Sequence, residues 1–241
     1  MISEPWYSHI GLKEIMARDS FVQPEYKGNP GMLQAINENV EMLVVGAGGL
    51  GCETLKNLVL MGVLHITCID LDTISLTNLN RQFLFRQKDI GRYKSDVAAE
   101  YIMNKYPGVK IESIHKNIKE LPITFYKKFN VIIAGLDNID ARRWLNSLVH
   151  SIVEFDASGK PNLESVIPMI DGGSEEFRGQ ARVIIPYQTD CYECTIDSIA
   201  QGNTYPMCTL AENPRLPEHC IEYAYIFLWE KSFPKVKVVI Y

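Results

Sequence analysis

Hydrophobic and polar positions between residues 41 and 81 predict a strand, a tight turn, a helix and a second strand. Residues 42–45 form a short apolar run, residues 52–61 carry apolar side chains at helical spacing, and residues 64–69 form another apolar run. The turn after the first strand contains the glycines Gly46, Gly48, Gly49 and Gly51, three of them in G-x-G-x-x-G spacing. This pattern is typical of a β-α-β unit whose turn leaves room for a phosphate at the first N–H groups of the helix.

The alternation of strands and helices continues to residue 187. The further predicted elements are a helix over residues 92–106, strands over 109–114 and 130–135, a helix over 139–153, a strand over 166–171 and an antiparallel strand over 181–186. The unbroken apolar run at 130–135 is typical of a parallel strand that is buried on both faces. We therefore expect an α/β, Rossmann-like, doubly wound fold with a mainly parallel sheet and helices on both faces.

Composition narrows the functional classes. The 241 residues include 46% hydrophobic residues, which suffice for a substantial core, and the formal net charge is -5. This charge gives no support to nucleic-acid binding, and no basic start or long apolar run predicts a signal peptide or a membrane span. We expect a soluble intracellular protein without a nucleic-acid or membrane partner. The six cysteines are too scattered for a disulfide framework, and Cys52 and Cys68 are expected in the core.

The polar residues after the second strand distinguish between two kinds of nucleotide. An acid about 20 residues after the glycines, here Asp70, is typical of dinucleotide enzymes, in which it binds a ribose hydroxyl. The residues that follow are rich in cations, which a triphosphate needs and a hydride-transfer site does not. The candidates for nucleotide binding are Asp70, Asp72, Asn78, Arg81, Gln82 and Lys94. Three further cations are interpreted as solvated surface charges: Arg86, Lys88 and Arg92.

Four motifs, in this order, resemble those of one known family. They are GAGGLG, IDLDTISLTNLNRQFLF, DIGRYKSDVAAE and AGLDNIDARRW. Together they are similar to the adenylating domain of the ubiquitin-activating enzymes and their bacterial sulfur-carrier relatives, and the resemblance covers nearly all of the chain. It implies that the nucleotide is ATP, with Asp70 on the ribose, Arg81 and Lys94 on the phosphates, Asn78 as a further contact and Asp137 on Mg²⁺.

Asp137 follows the apolar run at 130–135, at the carboxyl end of a predicted strand, where ligands gather in open α/β sheets. Its position alone is compatible with a solvated loop acid, an N-cap of the next helix or a magnesium ligand. The magnesium role fits best beside a polyphosphate, and we expect it because of the resemblance.

The chain is expected to have three parts. Residues 1–40 form an N-terminal helical arm with short helices near 9–17 and 31–37, residues 41–187 form the ATP-binding adenylation domain, and residues 188–241 form a crossover and the beginning of an incomplete helical cysteine domain. In the bacterial relatives an arm with a run similar to R-Y-x-R-Q completes the ATP site of the opposite subunit. That run is absent here and Arg18 stands alone, so we expect a different partner chain to supply the cation.

Cys191 and Cys194 have the spacing at which two thiolates bind one tetrahedral zinc ion. They are half of a site, because the family supplies the other two ligands from a second Cys-x-x-Cys downstream, which this sequence lacks. Cys208, His219 and Cys220 could complete a site, but we expect the zinc position to be empty or disordered. A redox role is less favoured, because the pair is not predicted to begin a helix after a strand.

Cys208 is the candidate nucleophile. Pro206 interrupts regular structure before it, and the residues after it could begin a helical turn whose N–H groups would lower the pKa of the thiol. A lone cysteine is otherwise most often an inert core residue. The run PMCT followed by PRLPEHCIEY is closely similar to the thioester-forming segment of the neddylation-activating members of the family.

Arg182 is the candidate for substrate selection. In the neddylation-activating enzymes an arginine at the matching position lies near the incoming tail of the modifier. It would repel a tail that carries its own arginine, as the tail of ubiquitin does. The alternative is an ordinary surface arginine on a strand.

These expectations combine into ATP-dependent activation of a ubiquitin-like modifier of the neddylation type, by adenylation of its C terminus and transfer to Cys208 as a thioester. The resemblance implies as partners the modifier, an inactive adenylation-fold subunit in a heterodimer and a conjugating enzyme, in the cytoplasm and nucleus. Two alternatives stay open: a sulfur-carrier adenylating enzyme of the same fold, and a truncated scaffold subunit without catalysis. Zinc would bind only with ligands that this chain does not contain.

Overall fold

The computed structural model describes residues 11–20, 25, 27–175, 178–196 and 215–229. The chain divides into two compact units, residues 1–196 and 197–241. Cys208 and the residues around it lie outside the described residues.

One six-stranded sheet forms the centre of the described part of the first unit. Its strands are β1 (Glu41–Val45), β2 (His65–Ile69), β3 (Lys110–Ile114), β4 (Val131–Ala134), β5 (Met169–Glu175) and β6 (Arg178–Ile184). Their order is β3-β2-β1-β4-β5-β6, and neighbouring strands are parallel except β5 and β6, which are antiparallel. The direction of winding reverses between β1 and β4, as in doubly wound folds. The predicted fold class is confirmed.

The helices in the described part of the first unit lie before, between and after these strands. They are α1 (Leu12–Met16), α2 (Met32–Asn39), α3 (Gly49–Leu60), α4 (Lys94–Lys105), α5 (Ile123–Tyr126), α6 (Ile139–Ile152) and α7 (Tyr192–Thr195). The helical spacing of apolar residues located α3, α4 and α6 to within a few residues at each end.

The hairpin of β5 and β6 differs from the prediction at both strands. The strand expected over 166–171 begins only at Met169, because Val166 belongs to a preceding turn, where its N–H donates to Leu163 O, and Pro168 has no N–H to donate. Both strands also continue beyond their apolar residues, to Glu175 and from Arg178, where the backbone pairing of the two strands extends into the glycine-rich end of the hairpin. Apolar periodicity carries no signal for such a segment.

A buried apolar cluster packs α3 and α4 against the first three strands. Leu55, Cys52, Cys68 and Ile102 are all fully enclosed in it. Burial raises the pKa of the Cys52 thiol to about 12 and raises that of Cys68 further. Both cysteines are therefore core residues, as predicted, and their thiols stay protonated and unreactive at neutral pH.

Helix α6 buries one face and exposes the other. Leu145, Val149 and Ile152 lie on the buried face at spacings of four and three residues, which is the arrangement expected of an amphipathic helix. Arg142 and Asn146 occupy the same face and are buried as well. Two polar side chains on an apolar stripe require partners inside the protein, because burying them unpaired would be costly.

The described residues of the second unit form one helix, α8 (Pro217–Tyr223), followed by a π-helical segment, Ala224–Trp229. Within the described parts of both units, no helix combines the length and the apolar character that a membrane span requires.

The core of α6 can be tested by shortening one side chain. Leu145→Ala should lower the free energy of unfolding by about 2–5 kcal/mol, because Leu145 is completely buried and its loss leaves a cavity. Leu163→Ala is the matched control, because Leu163 is 67% exposed and its truncation should change stability by less than about 0.5 kcal/mol. Urea unfolding followed by circular dichroism measures both. Equal losses for the two variants would contradict the packing of α6.

Candidate nucleotide-binding site

Two glycines of the turn are required by close backbone packing. Gly46 has a positive φ of 100°, and a Cβ there would lie 2.6 Å from the carbonyl oxygen of Gly135. A Cβ on Gly51 would lie 2.0 Å from the carbonyl oxygen of Gly46. Side chains at these positions would push β4 and α3 away from the turn, and Gly46 adopts backbone angles that only glycine adopts easily.

Gly48 is different, because it faces open space. It has an ordinary negative φ, and a Cβ there would have no neighbour within 4 Å. Helix α3 begins at the next residue, Gly49, and the first N–H groups of a helix have no partner within the helix. The open side of the turn therefore offers backbone donors and the positive end of a helix dipole to an anion.

Asp70 closes the turn from the end of β2. Its Oδ2 accepts a hydrogen bond from the N–H of Ala47 at 2.6 Å, and its Oδ1 accepts one from the N–H of Asp72 at 2.7 Å. Burial raises the pKa of the Asp70 carboxyl, although these two hydrogen bonds and the nearby Lys94 charge partly oppose the shift. Each oxygen retains a further lone pair, so the carboxylate can fix the turn and still accept from a ligand.

Lys94 is held at the same edge of the sheet. It is the first residue of α4 and is only 7% exposed, and its Nζ lies 2.8 Å from Asp72 Oδ2. Its backbone N–H also donates to the carbonyl oxygen of Asp72 at 2.9 Å. Asp72 thus positions the ammonium group beside Asp70, a role that the sequence alone did not indicate.

The segment between β2 and α4 carries three more candidate nucleotide-binding residues. Asn78 ends a short 3-10 turn, and its Oδ1 accepts from the N–H of Ser75 at 2.9 Å. Arg81 is exposed, and its Cγ lies 3.8 Å from where a Cβ on Gly49 would be, which places it beside the start of α3. Gln82 is 3% exposed, and among the described residues its Oε1 has no hydrogen-bond partner. Of these three side chains, Arg81 is the one placed directly beside the glycine turn.

The three cations interpreted as surface charges are all exposed. Arg86 donates to the carbonyl oxygens of Phe83 and Phe85, and Arg92 is paired with Glu100 and Asp89. Lys88 is exposed as well.

Asp137 lies just beyond the carboxyl end of β4. It is exposed, and no hydrogen bond or ion pair engages its carboxylate within the described part of the chain. The N-cap interpretation is wrong, because Asn138 is the N-cap of α6 and its Oδ1 accepts from the N–H of Ala141 at 3.1 Å. A carboxylate with unengaged oxygens is the kind of ligand that a hard divalent cation prefers.

Arg142 is a structural residue of this region that the sequence reasoning missed. Its guanidinium pairs with the buried Asp171 of β5 and donates to the carbonyl oxygens of Leu136 and Gly172. The sequence did contain a sign of this role, because Arg142 and Asn146 are polar residues four apart on the apolar face of α6. The partner of Arg142, which is 29 residues away, could not be identified from that pattern.

Cys191 and Cys194 lie close together on the first unit, with their Sγ atoms 3.5 Å apart. The expectation that the pair does not begin a helix is wrong, since Cys191 is the N-cap of α7. That short helix arises because α6 anchors it: Asn146 Oδ1 accepts from the N–H of Tyr192 at 3.1 Å, and Arg143 pairs with Glu193.

Two opposing effects act on the pKa of the Cys191 thiol. Burial pushes its pKa up, but hydrogen bonds from the backbone and thiol of Cys194 and from Asn146 outweigh this effect, and the pKa is lowered from its ordinary value. Within the described residues no group of three or more metal-ligating side chains is placed to hold a metal ion. Of the other candidate ligands, His219 and Cys220 belong to α8 in the second unit.

Arg182 lies on β6, directly opposite Asp171 of β5, and is half-buried. It donates to the hydroxyl of Thr195 at the end of α7. The side chain is therefore held against the segment that carries the two cysteines, and its role in substrate selection stays a prediction.

Comparison with known proteins identifies the family to which this chain belongs. The model of the ThiF family matches residues 24–216. The chain belongs to the ThiF family. Its relatives include the Nedd8-activating enzyme E1 catalytic subunit of Drosophila melanogaster, 45% identical over 93% of this chain and 50% of that protein. The NEDD8-activating enzyme E1 catalytic subunit of Caenorhabditis elegans is 45% identical over 97% of this chain and 54% of that protein.

A more distant relative of this ThiF-family chain is SUMO-activating enzyme subunit 2 of Dictyostelium discoideum, 41% identical over 82% of this chain and 28% of that protein. The chain spans about half the length of the NEDD8-activating relatives that it matches. The family resemblance inferred from the motifs is confirmed.

Solved structures support the fold. E. coli MccB with ATP is 23% identical with a TM-score of 0.58, over 76% of this chain and 53% of that one. E. coli MccB with AMPCPP and MccA is 24% identical with a TM-score of 0.58, over 73% of this chain and 50% of that one.

The two kinds of glycine in the turn give a direct test. Gly51→Ala should lower the thermal midpoint clearly, because its Cβ would clash with the Gly46 carbonyl, whereas Gly48→Ala should leave the midpoint close to that of the unsubstituted chain. Gly48→Ala should still weaken anion binding, since the added methyl occupies the open side of the turn. Differential scanning calorimetry and phosphate titration measure the two effects. A Gly48→Ala variant as unstable as Gly51→Ala would contradict this assignment.

Proposed function

We propose that this chain is the nucleotide-binding part of an enzyme that activates a ubiquitin-like modifier of the neddylation type. The observation that carries the proposal is the arrangement at one edge of the sheet. The open glycine turn, the buried Lys94 beside Asp70, and the unengaged carboxylate of Asp137 all lie at the carboxyl ends of the strands around β1. The 45% identity to NEDD8-activating enzyme E1 catalytic subunits supports the choice of modifier.

In this proposal ATP is the substrate, and the chain aligns its phosphates. The open N–H groups at the start of α3 and the charges of Arg81 and Lys94 bind the phosphate oxygens, while Asp70 binds the ribose and Asn78 is a further contact to the nucleotide. Asp137 is the proposed ligand of a magnesium ion, which, when bound, offsets charge on the departing pyrophosphate. That MccB has been solved with ATP supports the choice of nucleotide.

The first step joins the C-terminal carboxylate of the modifier to the α-phosphorus and releases pyrophosphate. The residues named above contribute alignment and charge neutralisation, which supply most of the catalysis in phosphoryl and related transfers. The product is an acyl-adenylate, a mixed anhydride. In the second step the thiolate of Cys208 attacks the acyl carbon, forms a thioester and releases AMP.

The proposed partners rest on the resemblance to the neddylation-activating enzymes. They are the modifier, an adenylation-fold partner subunit that supplies the arginine missing from the N-terminal arm, and a conjugating enzyme that receives the thioester. The proposed location is the cytoplasm and nucleus. Zinc at Cys191 and Cys194 requires further ligands, which a longer form of the protein or a partner would supply.

Substitution can separate the two half-reactions. Asp137→Ala should lower modifier-dependent exchange between ATP and pyrophosphate by about a hundredfold, the scale of losing one electrostatic contact in a transition state. Cys208→Ser should preserve exchange and abolish the reductant-sensitive conjugate with the modifier, since adenylation precedes use of the thiol. Both are measured on the chain reconstituted with modifier and partner subunit. If Asp137→Ala exchanges ATP and pyrophosphate as fast as the unsubstituted chain, Asp137 is not the magnesium ligand. If Cys208→Ser still forms a reductant-sensitive conjugate, Cys208 is not the nucleophile.

Arg182 can be tested through the choice of modifier. Arg182→Gln should raise activation of ubiquitin relative to the correct modifier by at least about tenfold, because it removes a repulsive contact between like charges. Arg143→Gln is the matched control, since Arg143 is an exposed arginine paired with Glu193. Thioester formation with each modifier in parallel provides the measurement. If Arg182→Gln rejects ubiquitin as strongly as the control does, selection depends on other residues.

A further inference from the structure

Arg142 connects three parts of the first unit through one guanidinium group. It extends from the first turns of α6, its Nη1 pairs with Asp171 Oδ1 of β5, and its Nη2 donates to the carbonyl oxygens of Leu136 and, at 2.9 Å, Gly172. Leu136 belongs to the loop between β4 and α6, whereas Gly172 belongs to β5. One side chain thus fixes the distance from this loop to the neighbouring strand.

The ion pair between Arg142 and Asp171 is buried, so it is well suited to hold the loop between β4 and α6 in one position. Arg142 is 8% exposed and Asp171 is 2% exposed. Water can replace few of these hydrogen bonds, and a buried arginine that lost them would be left as an unpaired charge. A guanidinium provides a planar fork of donors that can serve a carboxylate and two carbonyls at once, whereas a lysine ammonium behaves as a point charge.

The loop that Arg142 holds carries Asp137. On one side of Asp137, the N–H of Gly135 donates to Val45 O at 2.9 Å and the carbonyl of Leu136 is bound by Arg142. On the other side, Asn138 caps α6 through the N–H of Ala141. Every residue flanking Asp137 is therefore tied to the fold, while its own carboxylate has no partner among the described residues and projects from a fixed backbone.

We propose that Arg142 is a positioning residue, which fixes the Asp137 carboxylate where it can bind the divalent cation of a bound nucleotide. The inference rests on the proposed function and adds to it a residue that does not touch the nucleotide. Through the Leu136 carbonyl, Arg142 acts as residues behind metal ligands commonly do: they orient the ligand without contacting the ion.

The test measures binding of AMPCPP to the chain, reconstituted with the partner subunit, at increasing Mg²⁺ concentrations and in EDTA. Arg142→Lys should raise the Mg²⁺ concentration needed for half-maximal binding by about tenfold or more, the usual cost of losing a residue that orients a metal ligand. Affinity in EDTA should change by less than about twofold, because Arg142 does not contact the nucleotide site itself. Hydrogen exchange of the amides over residues 136–138 should also become faster, since the loop loses its anchor.

Two controls separate positioning from stability. Asp171→Asn breaks the same buried ion pair but leaves Arg142 on the Leu136 and Gly172 carbonyls, so it should lower the urea midpoint without moving the Mg²⁺ requirement. Arg143→Lys changes the neighbouring arginine, which pairs with Glu193, and should change neither. The double substitution Arg142→Met with Asp171→Leu removes the loop contact without leaving an unpaired charge, so it tests the idea even if Arg142→Lys does not fold.

The outcomes distinguish this inference from the function on which it rests. The positioning role would be overturned if Arg142→Lys and the double variant needed the same Mg²⁺ concentration for half-maximal binding as the unsubstituted chain. It would also be overturned if Asp171→Asn raised that concentration as much as Arg142→Lys does. Equal losses of affinity with Mg²⁺ and in EDTA would also overturn it, since they would indicate general damage to the site. If the unsubstituted chain, reconstituted with the partner subunit, binds AMPCPP under neither condition, the proposed function itself fails.

Discussion

Two backbone contacts that exclude any side chain hold the candidate site together. The turn after β1 passes so close to Gly135 at the end of β4, and α3 starts so close to the carbonyl of Gly46, that only glycine fits at Gly46 and Gly51. The N–H of Gly46 also donates to Ile69 O at the end of β2. These contacts bring three strand ends and a helix start to one point, and they do so at the place where the winding of the sheet reverses.

The charged groups at this edge are organised by the fold before any ligand arrives. Asp70 uses one oxygen to secure the glycine turn and the other to secure the backbone at Asp72, and Asp72 in turn holds the ammonium of Lys94. The pairing with Asp72 supplies opposite charge to the ammonium group of Lys94, a residue that is only 7% exposed to water. The edge therefore combines a fixed cation, open backbone donors and carboxylate oxygens, the groups that a polyphosphate and its metal ion require.

Helix α6 links this edge to the cysteine pair. Arg142, near its start, binds the loop that carries Asp137, and Asn146, one turn later on the same face, binds the backbone of α7 at Tyr192. The exposed pair of Arg143 and Glu193 adds a further connection. Since Tyr192 is 3% exposed, the segment with the two thiols is packed on α6 through protein contacts within the first unit.

The sequence by itself determined the features that depend on neighbours along the chain. Apolar spacing located α3, α4 and α6, the glycine pattern located the turn, and the order of the elements indicated a doubly wound sheet. The four motifs were sufficient for the family. Only the tertiary structure decided which polar side chains meet: Asp72 with Lys94, Arg142 with Asp171 and Leu136, and Asn146 with the residue after Cys191. Except for Arg142 with Leu136, these contacts join residues that lie 22 to 46 positions apart in the sequence. The periodicity of one segment carries no information about which segment packs against it.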